Sequence, residues 1–466
     1  MQRRTILKSG AAAVGAAAFV SGATSANPAA AAEIGMHITP VGNELDSLMQ
    51  PLINTAQAQA VMEEYDLAGM LALNPVNVYY LTNTTAIGTK MRWQYPSFAT
   101  LPRDPNQPTF LVVTSGMLWD IVNGDRWVPD VIPYTGPINA GEYMGDDALP
   151  LSVKPKAANR QRVVDEPPPL TAREQRWIDS GKNYQPSPTP EWGLVRAMKE
   201  SGITKGRVAV DDMRIAHLLN RIGMADDIEF IDGDNLFRRI RYIKSAPEIE
   251  LMRLAGAKNA DAALATARSI EKGMSYFDIE RRFGAECALR GSTITFILAG
   301  VTLGLLPDAE VVPGKPFLID AVSNFREYHG DFARTIVLGE PSKAVQLRAN
   351  AQQAAREATF NTLKPGTRYS DIMKAGFEAY KKAGGNPDTL IVNPHSLGLQ
   401  HTDQPYSDKN PWRGGEDLVL KKDMVITVDL PFIEVGFGAG HNEDLLLITE
   451  TGYEVMHSEE QPLVIV

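Results

Sequence analysis

The 466 residues carry a formal net charge of −10 with 44% hydrophobic side chains, enough chain for two ordinary domains with buried cores. The acidic balance argues against a nucleic-acid or anionic-membrane partner, both of which need a basic surface. A single cysteine, Cys287, excludes an intramolecular disulfide framework and a thiolate-rich metal site, so a metal would rest on His, Asp and Glu.

In chain order, MQRRTILKSG places Arg3 and Arg4 ahead of the apolar run AAAVGAAAFV and the small residues SGATSANPAAAA. That tripartite pattern reads as a twin-arginine export signal over residues 1–32 and predicts a periplasmic protein. No later stretch approaches the ~20 apolar residues of a membrane span. LINTAQAQAVMEEYDL then has helical spacing, GMLALNPVNVYYLTN carries strand-type runs, and PTFLVVTSG reads as a buried strand. Residues 147–190 turn polar and Pro-rich and read as a long surface insertion. GRVAVDDM resumes the strand pattern, and a helix-like segment leads to DIEFIDGDNLFRRIRYIKS.

In APEIELMRLAGAKNADAALATARSIEKGMS, residues Ile249, Met252, Ala260, Ala263, Ala267 and Ile270 share one helical face. Pro247 suits its first turn and Gly273 its end. A second helix, YFDIERRFGAECALRGS, follows. Beyond it TITFILAG, PFLIDAV, FARTIVLG, DMVITVDLPF and DLLLITE read as strands, interrupted by helical KAVQLRANAQQAAREATFNTL and SDIMKAGFEAYKKAG. Strands with helices between them, without regular βαβ alternation, predict an α+β catalytic half.

Within those strands, acids and histidines occupy places where apolar residues are expected: Asp320, Asp331, His395, His401, Asp429 and Glu443. Each has an ordinary explanation alone. Asp320 suits a turn, Asp331 a pair with Arg334 or Arg326, and His395 a hydrogen-bonded core; Asp429 suits a loop before Pro431, and Glu443 a solvent-facing position. A buried unpaired carboxylate costs several kcal/mol and would take up a proton instead. Four such groups and an imidazole converging on a cation remove that cost, and oxygen-rich ligands with one His suit Mn, Fe, Co or Zn. The carboxylates suffice for one or two divalent ions.

On these residues the chain resembles the pita-bread metallopeptidases: aminopeptidase P, prolidase, creatinase and methionine aminopeptidase. LALNPVNVYYLTN resembles their creatinase-type N-terminal domain, and RYIKSAPEIELMRLA, with Lys244, Ser245, Glu248 and Ile249, resembles the linker into the pita-bread domain. Asp320 and Asp331 match the family's pair of aspartates eleven residues apart, with Tyr328, Arg334 and Thr335 framing the second. His395 opens the H-x-x-G-L stretch, and Glu443 with Asp444 matches the closing pair.

The resemblance implies an α+β protein, with a creatinase-like α/β domain over 45–240 and a pita-bread domain over 241–466. It implies metal ligands Asp320, Asp331, His395, Asp429 and Glu443, and a homodimer. The implied activity is that of an Xaa-Pro aminopeptidase or dipeptidase, in which a metal-bound hydroxide would attack the carbonyl carbon and a C–N bond of a peptide or small-molecule substrate would break. Asp429 would move the proton, and His401 would stabilise the developing charge.

Five departures bear on activity. Asp429 stands where the family has Glu, which draws the carboxylate back by about 1.5 Å, one C–C bond. Val322 replaces a glycine, Asp308 an upstream histidine and His441 an arginine, while His401 follows His395 by six residues instead of seven. The cage survives these changes, and the groups that orient substrate and move protons are altered, with His401 and His441 as replacements. The alternatives are therefore a creatinase-like or dimethylsulfoniopropionate lyase-like enzyme of the same fold, or a catalytically inactive binding protein.

Overall fold

The computed structural model describes residues 46–93, 95–135, 151–152, 168–302, 309–407, 416–457 and 461–466. The export segment, Asp308 and much of the 147–190 stretch lie outside the described residues. Among the described residues no helix is long and apolar enough to cross a membrane.

The N-terminal half builds a six-stranded mixed sheet from β1 (Leu67–Ala72), β2 (Phe98–Pro102), β3 (Phe110–Thr114), β4 (Asp130–Tyr134), β5 (Gly206–Val210) and β6 (Ile228–Asp232). Their order is β4-β3-β2-β1-β5-β6, with β1 antiparallel to β2 and parallel to β5. The central strands are apolar runs because both faces of the sheet are covered, whereas edge strand β6 has no buried position. β2, for example, is buried at every position.

Two sequence readings change here. NPVNVYYLTN carries no strand: Pro75–Thr82 is a helix, started by Pro75 in its first turn and by Asn74, whose side chain accepts from Val76 N. Its residues from Asn77 to Thr82 are buried on all sides, so no amphipathic period marks it. Within the stretch read as an insertion, Ala172–Asn183 is also a helix, capped by a reciprocal box between Thr171 and Glu174.

In the C-terminal half the helix Ala246–Arg268 starts as expected, with Pro247 in its first turn and a capping box between Ser245 and Glu248. It ends at Ser269, and Gly273, with φ +87°, serves the turn that follows. The helix Tyr276–Leu289 leads into β7 (Thr293–Gly300), β8 (Phe317–Phe325) and β9 (Tyr328–Val337), an antiparallel meander. Helices Lys343–Phe360 and Tyr369–Lys382 precede a second sheet. Its members are β10 (Asn393–Ser396), β11 (Val425–Asp429), β14 (Leu446–Ile448) and β15 (Tyr453–Val455), reached past the hairpin β12 (Phe432–Glu434) and β13 (Gly438–Gly440). β16 (Leu463–Ile465) returns to lie parallel to β9.

The Ala246–Arg268 helix packs on β8 and β9, close enough that a Cβ on Gly330 would stand 2.6 Å from Asn259 Cβ. The β8–β9 turn is made by Arg326 and Glu327, both at positive φ (52° and 69°) without a glycine. Tyr79 donates to the Arg326 carbonyl at 2.9 Å, and Glu327 pairs with Lys90, so the N-terminal half holds this turn. The core does not divide at residue 240: Leu67, Val78 and Phe237 pack in one cluster with Leu251, Leu397 and Leu447.

Candidate metal centre

Strand register brings the acids together. Asp320 lies opposite Ala333, and Asp331 lies opposite Val322. An offset of two residues keeps both side chains on one face of the hairpin, as diagonal neighbours. Ala333 also bridges to Glu443, whose N–H donates to the Ala333 carbonyl at 3.1 Å, so a third carboxylate arrives along β9. From the second sheet, His395 lies opposite Thr427 and Asn393 opposite Asp429.

The two sheets present these donors to each other. His395 Nε2 lies 3.4 Å from Asp429 Oδ1, 3.6 Å from Glu443 Oε1 and 4.0 Å from Asp331 Oδ2. His401 Nε2 stands 3.1 Å from Asp331 Oδ2, and its ring rests against Phe296 and His395. Three sets hold donor atoms within 4.8 Å of one another: Asp331 with His395 and His401, His395 with Asp429 and Glu443, and Asp320 with His441 and Glu443. Because they share His395 and Glu443, they form one centre that collects every site residue expected from the sequence.

Asp331 decides what this centre can hold. It is 1% exposed, and neither carboxylate oxygen has a hydrogen-bond partner, although His401 Nε2 lies 3.1 Å from Oδ2. Asp320 Oδ1 is also buried without a partner. Arg334, one of the two arginines that suit a pair with Asp331, turns instead to Asp444 at 2.6 Å. Native interiors rarely leave buried carboxylates unanswered, and a divalent cation fits this donor set.

Residues 250–450 match the model of metallopeptidase family M24. The M24 segment contains the whole donor set. The chain is 25% identical to the probable dipeptidase PepE of Mycobacterium bovis over 332 residues, 69% of this chain and 83% of the relative. It is 26% identical to the Xaa-Pro dipeptidase of Pyrococcus furiosus over 247 residues, covering 50% and 68%. Among solved structures, a dipeptidase from Pyrococcus horikoshii matches with TM-score 0.62 at 18% identity, over 88% of this chain and 99% of that one. An X-Pro aminopeptidase from Thermotoga maritima gives 0.62 at 17%, over 87% and 100%. The structures speak to fold, and bear out the expected mixed α/β architecture with an N-terminal domain ahead of a C-terminal one. The M24 match and the named relatives support a metallopeptidase-type hydrolase.

The electrostatics of the centre are those of crowded anions. Burial, then the charges of Asp331 and Asp429, push the Asp320 carboxyl well above the ordinary range, and burial with the Asp331 charge does the same to Glu443. Burial alone would lower His395, but Asp429 and Asp331 overcome it and raise its imidazole to about 9. Burial raises Asp429 too, and His395 beside it more than reverses this, holding Asp429 below the usual aspartate value. Without metal, then, the site favours protons on His395, Asp320 and Glu443 over a cage of bare anions, and metal binding would displace them.

Other groups support these donors, and of them Thr427, Asn393, Arg241 and Asp403 carry no local signal in the sequence. Thr427 donates to Glu443 Oε1 at 2.6 Å and faces His395 Nε2 at 3.1 Å, while Asn393 donates to Asp429 Oδ2 at 2.8 Å. Asp444, behind Glu443, accepts from Arg334 and Arg356, each at 2.6 Å, and lies 3.1 Å from His457 Nε2. The loop that carries His401 is fixed by Asp403, which accepts from Arg241 Nη2 at 2.7 Å and from Leu399 N at 3.1 Å. A Cβ on Gly398 would stand 2.5 Å from Asp403 Oδ2, so this turn requires glycine. Val322 is fully buried opposite Asp331.

A cavity of about 710 Å³ lies elsewhere, beside Asn74, Trp93 and Asp211 in the N-terminal half. Asp211 there is a cap, accepting from Leu73 N, Asn74 N and Asn77 Nδ2.

Proposed function

We propose that the chain is a metal-dependent peptidase of Xaa-Pro dipeptidase or aminopeptidase type. Asp320, Asp331, His395, Asp429 and Glu443 would hold one or two divalent ions, Mn, Fe, Co or Zn. The observation that carries this reading is Asp331, buried with both oxygens unanswered amid three further carboxylates. The bound ions would supply an activated water and polarise the scissile carbonyl.

The remaining roles fall to the chain's own side chains. Asn393 fixes one Asp429 oxygen and leaves the other toward His395, and the Asp429 side chain is 19% exposed, open to a proton arriving from substrate or water. His401 is 37% exposed at the rim, where it donates to the substrate's developing oxyanion or leaving nitrogen. Arg241, through Asp403, holds that loop in place. The twin-arginine segment directs the enzyme to the periplasm, and a homodimer completes the reading.

Turnover of Xaa-Pro dipeptides, longer Xaa-Pro peptides and creatine-like amidines by the chain reconstituted with Mn, Co or Zn tests it. The expected result is dipeptide cleavage that a chelator abolishes and added metal restores. Turnover confined to the amidines, and indifferent to chelator, would refute it in favour of a creatinase-like enzyme.

A further inference from the structure

His441 stands where the resembled family has an arginine, in the segment GHNED directly after β13. Its backbone is pinned, because the His441 N–H donates to Thr335 Oγ1 at 3.0 Å. Gly440 before it has no room for a side chain: a Cβ there would stand 2.5 Å from the Phe432 ring. The imidazole is 2% exposed, with Nε2 3.7 Å from Glu443 Oε2, beyond hydrogen-bond range. Nδ1 has no partner, and Asp320 Oδ1 has none either. Buried polar atoms of this kind call for an explanation. Here Asp320, His441 and Glu443 offer donor atoms within 4.8 Å of one another, in a set that shares only Glu443 with His395 and Asp429.

We infer that His441 is a metal ligand, closing an Asp320–His441–Glu443 set opposite the His395–Asp429–Glu443 set. The inference rests on the metal-centre reading and changes its composition. Each side of the centre then carries one imidazole. A second nitrogen donor shifts preference from Mn toward Co or Zn. His441 is thereby removed from the catalytic role expected of it in the sequence, and orientation of substrate is left to His401. No group in the centre then takes over the charge of the family's arginine.

The test is a titration of the chelator-treated full chain with Zn(II) against a chromophoric chelator, comparing wild type, His441→Asn and His395→Asn. Wild type is expected to bind about two equivalents, and each variant about one. The other equivalent should weaken by more than the roughly tenfold that even an outer-shell change produces. Wild-type binding by His441→Asn would overturn the inference alone. Absence of zinc binding by folded wild-type chain would overturn the metal reading as well, so the two failures are distinguishable. X-ray absorption of the zinc-loaded His401→Asn chain gives a readout that does not depend on folding of the His441 variant. About one imidazole per zinc supports the inference, and about one per two zincs contradicts it.

Discussion

Replacing Asp331 with asparagine is expected to stabilise the metal-free chain and destabilise the metal-loaded one. Without a cation, Asp331 is a buried carboxylate with no hydrogen bond, packed with Asp320, Asp429 and Glu443 against the single raised imidazole of His395. An amide of the same shape removes one charge and adds two donors for the oxygens that remain. The gain should be about 1–3 kcal/mol, the penalty of an unsatisfied buried group. With metal the sign reverses, because a ligand is lost. At free metal 100 times the dissociation constant, binding to the folded state alone is worth about 2.7 kcal/mol, and the variant forfeits it. Urea unfolding with chelator and with saturating zinc reads both signs. Destabilisation under both conditions would mean that Asp331 is a structural residue.

Asp403→Ala should be the most damaging single change outside the centre. Arg241 and Asp403 are each 1% exposed and pair at 2.7 Å. Removing one partner of a buried pair leaves an uncompensated charge, at a cost of about 3–5 kcal/mol. The same carboxylate fixes the loop that carries His401, so activity should fall with it. Arg241→Met combined with Asp403→Leu should recover much of the lost stability without restoring the loop. The pH dependence has a definite sign. Burial raises the Asp403 carboxyl, and Arg241 more than offsets it, holding the folded value below that of the unfolded chain. Its stabilising contribution is therefore complete above the unfolded value of about 4 and is lost as pH falls through the folded one. The gap between wild type and Asp403→Ala should narrow in acid. A constant gap would place the variant's damage in packing alone.

The aspartate pair was legible because hairpin geometry is arithmetic. Eleven residues with a two-residue turn at Arg326 and Glu327 put Asp320 and Asp331 on the same face. The turn itself was hidden, since neither residue is the glycine or asparagine that positive φ favours, and contacts from Tyr79 and Lys90 hold it instead. The Pro75–Thr82 helix differs from the strand its sequence suggests because burial on all sides erases periodicity, although Asn74 and Pro75 are a start signal. Arg241 and Asp403 lie 162 residues apart, and no local pattern links them. His441 was visible as a departure from the family pattern, but only the position of Asp320 and Glu443 around it shows what surrounds its ring.

Elemental analysis of the purified full chain beside Asp331→Ala tests the central claim most directly. About two equivalents of Mn, Fe, Co or Zn in the wild type, lost from the variant, is the predicted result. A folded wild-type chain that retains no metal, and takes up none when supplied, would contradict it.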